Sequence, residues 1–485
     1  MNPRRFSILS AVLLISALAF SATELIDLME PADRLATSIY IGPGMTTLRE
    51  LTDGYGGRLT GSAAYDKAVE WAVAKFKSEG LQDVHGEPFT IPNGWQRGSA
   101  GGTMVAPITR HLYLESLGWS PSTAPGGVTG DVVVISDITS ESIKQKAGQI
   151  FGHLVYVDTE KALADGPWKV LGQIFALPQV LKNAGALAVI FPDNEANNVL
   201  NAFALTWTGT VSPLPGVQLG MEDSKLVRRL LERGPVTLQL KVTNTVSGPV
   251  QVNNVIAQIR GSEESDEWIL VGGHFDSWDY GTGAQDNGSG AAMVLEAARA
   301  ISALGKAPRR TIRFALWGGE EEGLLGSSAY VKAHAAEMEK CVAVLNTDNG
   351  AGHPKGWKVE GRSDLKEAMQ PISDSLLKNL GGGELSLKTS YDTDHGPFLL
   401  QGVPALDLFV DMAHYGDIHH KPSDTYDKVD PLFMKADTAI VAITAYALAQ
   451  EAKPIAPHIN HAAVGEILKK ADLADALVQI GAWKP

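Results

Sequence analysis

The chain has 485 residues, 44% of them hydrophobic and 20% charged, the balance of a globular protein with sizeable cores and more than one typical domain. Lys and Arg number 41 against 55 Asp and Glu, a formal charge of −14 that argues against nucleic acid or an anionic membrane as the main partner. The single cysteine, Cys341, excludes an internal disulfide and opens the apolar run "CVAVLN", where it reads as a small buried hydrophobe.

At the start, Arg4 and Arg5 precede an apolar run from Phe6 to Phe20, and small residues follow with Ala19 and Ser21 at a cleavage spacing. This three-part pattern predicts a signal peptide over 1–21 and an exported protein, periplasmic or secreted. The run is short for a membrane anchor, since a bilayer takes roughly 20 apolar residues. No other segment reads as a span. Ala68, Trp71, Ala72, Ala74 and Phe76 then fit a helix stopped at Gly80. Residues 91–125 are rich in Pro, Gly and Ser and read as irregular.

Between 128 and 243 short β-branched runs alternate with helical ones. "DVVVIS", "HLVYVD" and "VTLQLKV" read as strands, and "MEDSKLVRRLLERG" as a helix ended by Gly234. His, Asp and Glu do not cluster in this block, which reads as a compact non-catalytic module. From 252 "VNNVIAQIRG" and "EWILVGGHFDS" read as two strands, a hairpin candidate around the acidic "SEESDE". Beyond them strands and helices alternate to the closing helix "ADTAIVAITAYALAQEA", with Pro371 placed to kink one helix. The predicted fold class is α/β: a mixed, largely parallel central sheet with helices on both faces.

Ligands of such sheets bind at the carboxyl ends of strands. Here the ends deliver His274 with Asp276 and Asp286, then Glu320, Glu321 and Glu322, then Asp348, then His419 and His420. One such residue alone reads as a cap or loop residue. Four ends converging on one rim would set several carboxylates against each other unless a cation joined them. Two imidazoles with three carboxylates match the N and O ligands of zinc, and a pair of ions sharing a carboxylate is a common hydrolytic arrangement. Glu322 reads as a solvated residue of a helix N-terminus, and Asp279 as solvated. Asp276, two residues after His274 on the same strand face, reads as the group that fixes the histidine ring.

The motifs "GGHFDS", "DNGSG", "WGGEEEGLLGS", "NTDNG", "TDHGPF" and "HHKPSDT", in that order, resemble the co-catalytic di-zinc exopeptidases that include carboxypeptidase Q and bacterial secreted aminopeptidases. The resemblance implies a zinc exopeptidase fold with a protease-associated domain inserted. Its expected layout is a catalytic domain from 22–125 and 246–485, with the insertion at 126–245. It also implies roles. His274, Asp286, Glu321, Asp348 and His420 would hold two Zn2+ with Asp286 bridging. Glu320 would be the general base toward a metal-bridging water. His420 fits the family spacing to Asp424 and Thr425. His419 stands where many relatives carry a Tyr. A cis bond at Asp286–Asn287, a peptide or dipeptide substrate and homodimer formation are implied as well. Two other readings stay open: a glutaminyl cyclase-like single-zinc acyltransferase, and a non-catalytic receptor-like binding protein.

Overall fold

The computed structural model describes residues 22–164 and 166–485, so the signal peptide expected over 1–21 lies outside the described residues. Among the described residues the strands form two eight-stranded sheets. The first runs, in spatial order, Gln82–Ile91, Val250–Ile259, Arg310–Trp317, Glu264–His274, Cys341–Asn346, Ala405–Val410, Pro354–Lys358 and Glu384–Ser386. Its four central strands, from Arg310–Trp317 to Ala405–Val410, are mutually parallel, with antiparallel neighbours on either side.

Both faces of this sheet are covered, as the run "WILV" requires. Ile269 and Val271 point into a core shared with the helices Ser289–Ser302 and Pro431–Gln450. Trp268 and Leu270, one residue out of phase, point to the other side. There they join Tyr330 and Val331 of the helix Leu325–Ala333 and Phe398 of Gly396–Leu399. The helix Pro431–Gln450 is long and apolar enough to cross a membrane, which the sequence reading did not credit, yet 83% of its apolar window is buried inside the protein. Helix Ser363–Ile372 contains Pro371 and changes pitch immediately after it, as a proline without an amide hydrogen demands.

Two expectations are corrected. The strands Val250–Ile259 and Glu264–His274 do not pair as a hairpin: Arg310–Trp317 lies between them, antiparallel to one and parallel to the other. Nor is 91–125 irregular, since it carries Trp95–Ala106, Arg110–Leu112 and Leu114–Ser116. The glycines that hid this strand permit close pairing. A Cβ on Gly98 would stand 1.6 Å from the Thr243 carbonyl oxygen.

The second sheet is built from these three strands with Val128–Ile135, Leu154–Val157, Ala188–Pro192, Gly216–Leu219 and Thr237–Val246. It therefore takes in residues ahead of 126. Arg97 joins it to the first: the guanidinium meets Asp279 at 2.9 Å and lies over the rings of Trp95 and Tyr280. Asp279, expected to be solvated, is thus ion-paired and mostly covered.

Candidate metal centre

Strand register alone brings the expected donors to one rim. His274 pairs in register with Trp317, whose chain continues through two glycines to Glu320 and Glu321. Gly272 pairs with Asn346, two residues before Asp348. His274 Nε2 lies 3.1 Å from Asp286 Oδ1 and 3.2 Å from Asp348 Oδ1. His420 Nε2 lies 3.2 Å from Asp286 Oδ2 and 3.0 Å from Glu321 Oε2. The structure therefore brings His274, Asp286, Glu321, Asp348 and His420 together. Glu320 stands on the His274–Asp348 side, with one donor atom from each of the three within 4.8 Å of the others.

His419 stacks on His420 at 3.7 Å between ring centres, and its Nε2 is 3.4 Å from Asp286 Oδ2. Its side chain is 42% exposed against 23% for His420, and only His420 also reaches Glu321.

These donors are held from behind, largely through main-chain atoms. The His274 ring Nδ1 donates to the Asp276 carbonyl oxygen at 3.0 Å, while the Asp276 carboxylate is 3.7 Å away. That carboxylate instead accepts the Thr60 hydroxyl at 2.8 Å and the amides of Glu320 and Glu321 at 3.3 and 3.4 Å. It aligns the next strand end more directly than the histidine ring.

Asp424 accepts the amides of Ala284, Gln285 and Asp286 at 3.1, 2.7 and 3.0 Å, fixing the turn that carries Asp286. Gly283 there takes φ +57°, and a Cβ on Gly290 would stand 2.2 Å from the Thr347 carbonyl oxygen. The Asp286–Asn287 peptide bond is cis. Arg58, fully buried, donates to the carbonyls of Phe275, Gly56, Thr282 and Gly283 at 2.8–3.0 Å. Neither the sequence motifs nor spacing pointed to Arg58 or Thr60.

Glu322 is fully buried beside Thr60 and Asp276, against the expectation of a solvated position. The helix begins only at Leu325, so the three glutamates lie in a turn folded into the rim and not on a helix N-terminus.

The electrostatics are those of an acid cluster short of cation. Burial would push His274 down, but Asp348 and Glu320 hold it well above the usual histidine range. Burial likewise opposes a charged His420, and Glu321 and Asp286 raise it to about 10. Burial raises Glu321 to about 7 against the pull of His420, and Asp348 to about 6 against that of His274. Glu321 Oε1 is buried with no hydrogen-bond partner. Mixed N and O donors, a buried carboxylate oxygen without a hydrogen-bond partner and carboxylates converging on two histidines fit divalent metal.

Carboxypeptidase Q from Bos taurus is 30% identical over 408 residues, covering 82% of this chain and 84% of that protein. The model of peptidase family M28 matches residues 254–445, the span holding every donor named above. The chain belongs to peptidase family M28. It is a metallopeptidase with the exopeptidase fold of that family. A crystal structure of an M28 peptidase precursor from Shewanella amazonensis superimposes with a TM-score of 0.79 at 29% identity, over 90% of this chain and all of that one. The zinc aminopeptidase of Bacillus subtilis shares the fold, with a TM-score of 0.65 at 22% identity over 84% of this chain and 94% of that one.

Beside the M28 centre lies a cleft of about 680 Å³ whose wall includes Gln285, Asn349, Tyr415, Ile418 and Phe433. Tyr415 rests against Gly350, where a Cβ would meet its ring at 2.9 Å. Burial and the facing carboxylates of Asp286 and Asp348 hold its hydroxyl well above the usual tyrosine range, so it stays a neutral donor.

Proposed function

We propose that the chain is a zinc-dependent exopeptidase, an aminopeptidase or dipeptidase. In this reading His274, Asp286, Glu321, Asp348 and His420 hold two zinc ions and Glu320 is the general base. One observation carries it. Asp286 turns its two oxygens to different histidines, Oδ1 to His274 at 3.1 Å and Oδ2 to His420 at 3.2 Å, so a single carboxylate lies between two donor sets. Asp348 extends the first set and Glu321 the second.

Zinc bound there would acidify water and polarise a scissile carbonyl. Glu320 would accept the attacking water's proton at its carboxylate and pass it to the leaving amine nitrogen. Burial, opposed by His274 and reinforced by Asp348, holds the Glu320 carboxyl well above the ordinary range without metal, and zinc bound beside it would lower it toward the ionised form a base needs. Asp276 keeps Glu320 in place through its amide, and Asp424 does the same for Asp286. Zinc is favoured as the ion by the donor set and by the zinc aminopeptidase sharing the fold.

The unit built on the second sheet is read as a protease-associated insertion in the catalytic domain, since the chain leaves the first sheet after Ile91 and re-enters it at Val250. The signal-like segment over 1–21, and the precursor status of the Shewanella relative, support action outside the cytoplasm.

Glu320→Gln tests the reaction. It is expected to keep about two zinc ions per chain while dipeptide hydrolysis falls roughly 10²–10⁴-fold. Full retained hydrolysis would remove Glu320 from the base role, and about one zinc per chain in the parent would remove the two-ion reading. Blocking the substrate amino terminus is expected to abolish cleavage.

A further inference from the structure

One metal-centre residue is gripped from outside the sheet that builds the centre. His420 takes φ +60°, a left-handed conformation uncommon for a residue with a Cβ. Its carbonyl oxygen accepts the amide of Ala202, at 2.8 Å, from a loop of the second sheet. The next residue, Lys421, is 3% exposed and meets Glu195 of the same loop at 2.9 Å. Its ammonium also donates to the Gly416 carbonyl at 2.5 Å, closing the 416–421 turn on itself.

The loop is built to make these two contacts. Asp193, buried just past the end of strand Ala188–Pro192, accepts the amides of Glu195 and Asn201 at 2.9 and 2.8 Å. It also accepts the side-chain amides of Asn201 and Gln218 at 3.1 and 2.6 Å. Between them, the amides of Asn197 and Asn198 both donate to Glu222 at 2.8 Å. A buried carboxylate thus folds residues 193–201, and the folded loop presents Glu195 and the Ala202 amide to consecutive residues, Lys421 and His420. Four main-chain amides of this loop are thus held by carboxylates, two by buried Asp193 and two by Glu222 of the next helix, which a free loop would leave to water.

We infer that the 193–202 loop is a positioning element for His420, aiming its imidazole at Asp286 and Glu321. The inference rests on the proposed role of His420 as a metal ligand. It makes Glu195 and Lys421 positioning residues, neither touching metal nor substrate. A hydrogen bond at the carbonyl of a left-handed residue and an ion pair from the buried lysine that follows it fix its backbone, and backbone direction fixes where the ring can reach.

The test is chelator competition on the zinc-loaded full-length chain, comparing parent, Glu195→Gln, Lys421→Met, the double variant and His420→Ala. Glu195→Gln is expected to weaken one zinc ion about tenfold and leave the other within about twofold, because only one donor set contains His420. Lys421→Met should match it, and the double variant should lose no more than the larger single effect, as coupled partners do. His420→Ala should lose that ion altogether. If His420→Ala loses an ion while Glu195→Gln and Lys421→Met leave both affinities at the parent value, the positioning role is overturned and the metal reading stands. Equal weakening of both ions in those variants also overturns it. If His420→Ala keeps both ions at parent affinity, the ligand assignment itself fails.

Discussion

Asp424→Asn isolates one link between the loop scaffold and the metal centre. Asp424 Oδ1 accepts the amides of Ala284 and Gln285 at 3.1 and 2.7 Å, and Oδ2 accepts that of Asp286 at 3.0 Å. An asparagine has one acceptor oxygen. If it stays where two donors meet, its amide nitrogen confronts the Asp286 amide donor to donor. One hydrogen bond to a charged acceptor is lost and two are weakened, about 2–4 kcal/mol in all. The buried Arg58 guanidinium loses a balancing charge as well: burial pushes it down to about 10, and Asp424 is foremost among the acids that oppose this. Part of the loss falls on folding and part on the aim of Asp286. With about 1.4 kcal/mol per tenfold, zinc affinity should drop roughly 10–100-fold. Chelator competition reads the affinity, and melting of the metal-free protein separates the folding share. Zinc affinity within about twofold of the parent would refute the claim that Asp424 acts through Asp286.

Zinc loading should release protons, because His274 is held well above its usual range and His420 at about 10 in the metal-free centre. Both are held protonated at neutral pH and must become neutral to ligate, and Glu321, at about 7, must give up its share of a proton, so affinity should rise with pH and loading at pH 7 should release at least about two protons per chain. Titration calorimetry in buffers of different ionisation heat measures this, and no buffer dependence would contradict it. Asp437 sits in the helix Pro431–Gln450 with neither oxygen hydrogen-bonded, and burial alone raises its carboxyl well above the usual range. Because the folded-state value is raised for an acid, the native state is penalised as pH climbs past the unfolded value of about 4, and not below it. Asp437→Asn should therefore melt close to the parent near pH 4 and be more stable by at least about 1 kcal/mol near pH 8. A stability difference that does not change with pH would show that ionisation is not what burial opposes there.

The residues proposed as donors were legible because zinc chemistry restricts residue type and the sheet restricts position. His274, Glu321 and Asp348 each follow a β-rich run at a strand end, and parallel register alone places such ends side by side. The spacing to Asp424 favoured His420 over His419 as the proposed ligand, and His420 lies 3.0 Å from Glu321. Glu322 was misjudged because three adjacent acids before "GLLGS" imitate a helix start, whereas the turn delays the helix to Leu325 and folds the acid inward. The strand Trp95–Ala106 was hidden by the same glycines that let its backbone pass close to Thr243.

What aims the donors was far less legible, and the reason is chemical. Arg58 reaches the carbonyls of Phe275, Thr282 and Gly283, and Asp276 holds the amides of Glu320 and Glu321. The Ala202 amide holds the carbonyl of His420. Every non-proline residue offers the same amide and carbonyl, so a group that binds main chain leaves no matching residue type at its target. Its own type is equally uninformative, since a buried arginine or aspartate can satisfy itself on any convenient loop. A metal donor is constrained at both ends, by the ion and by the strand, and so marks the sequence. A positioning group is constrained only by where the backbone passes, which the fold decides. Reading a sequence for chemistry therefore finds the atoms that react or ligate before it finds those that make their geometry exact enough to work.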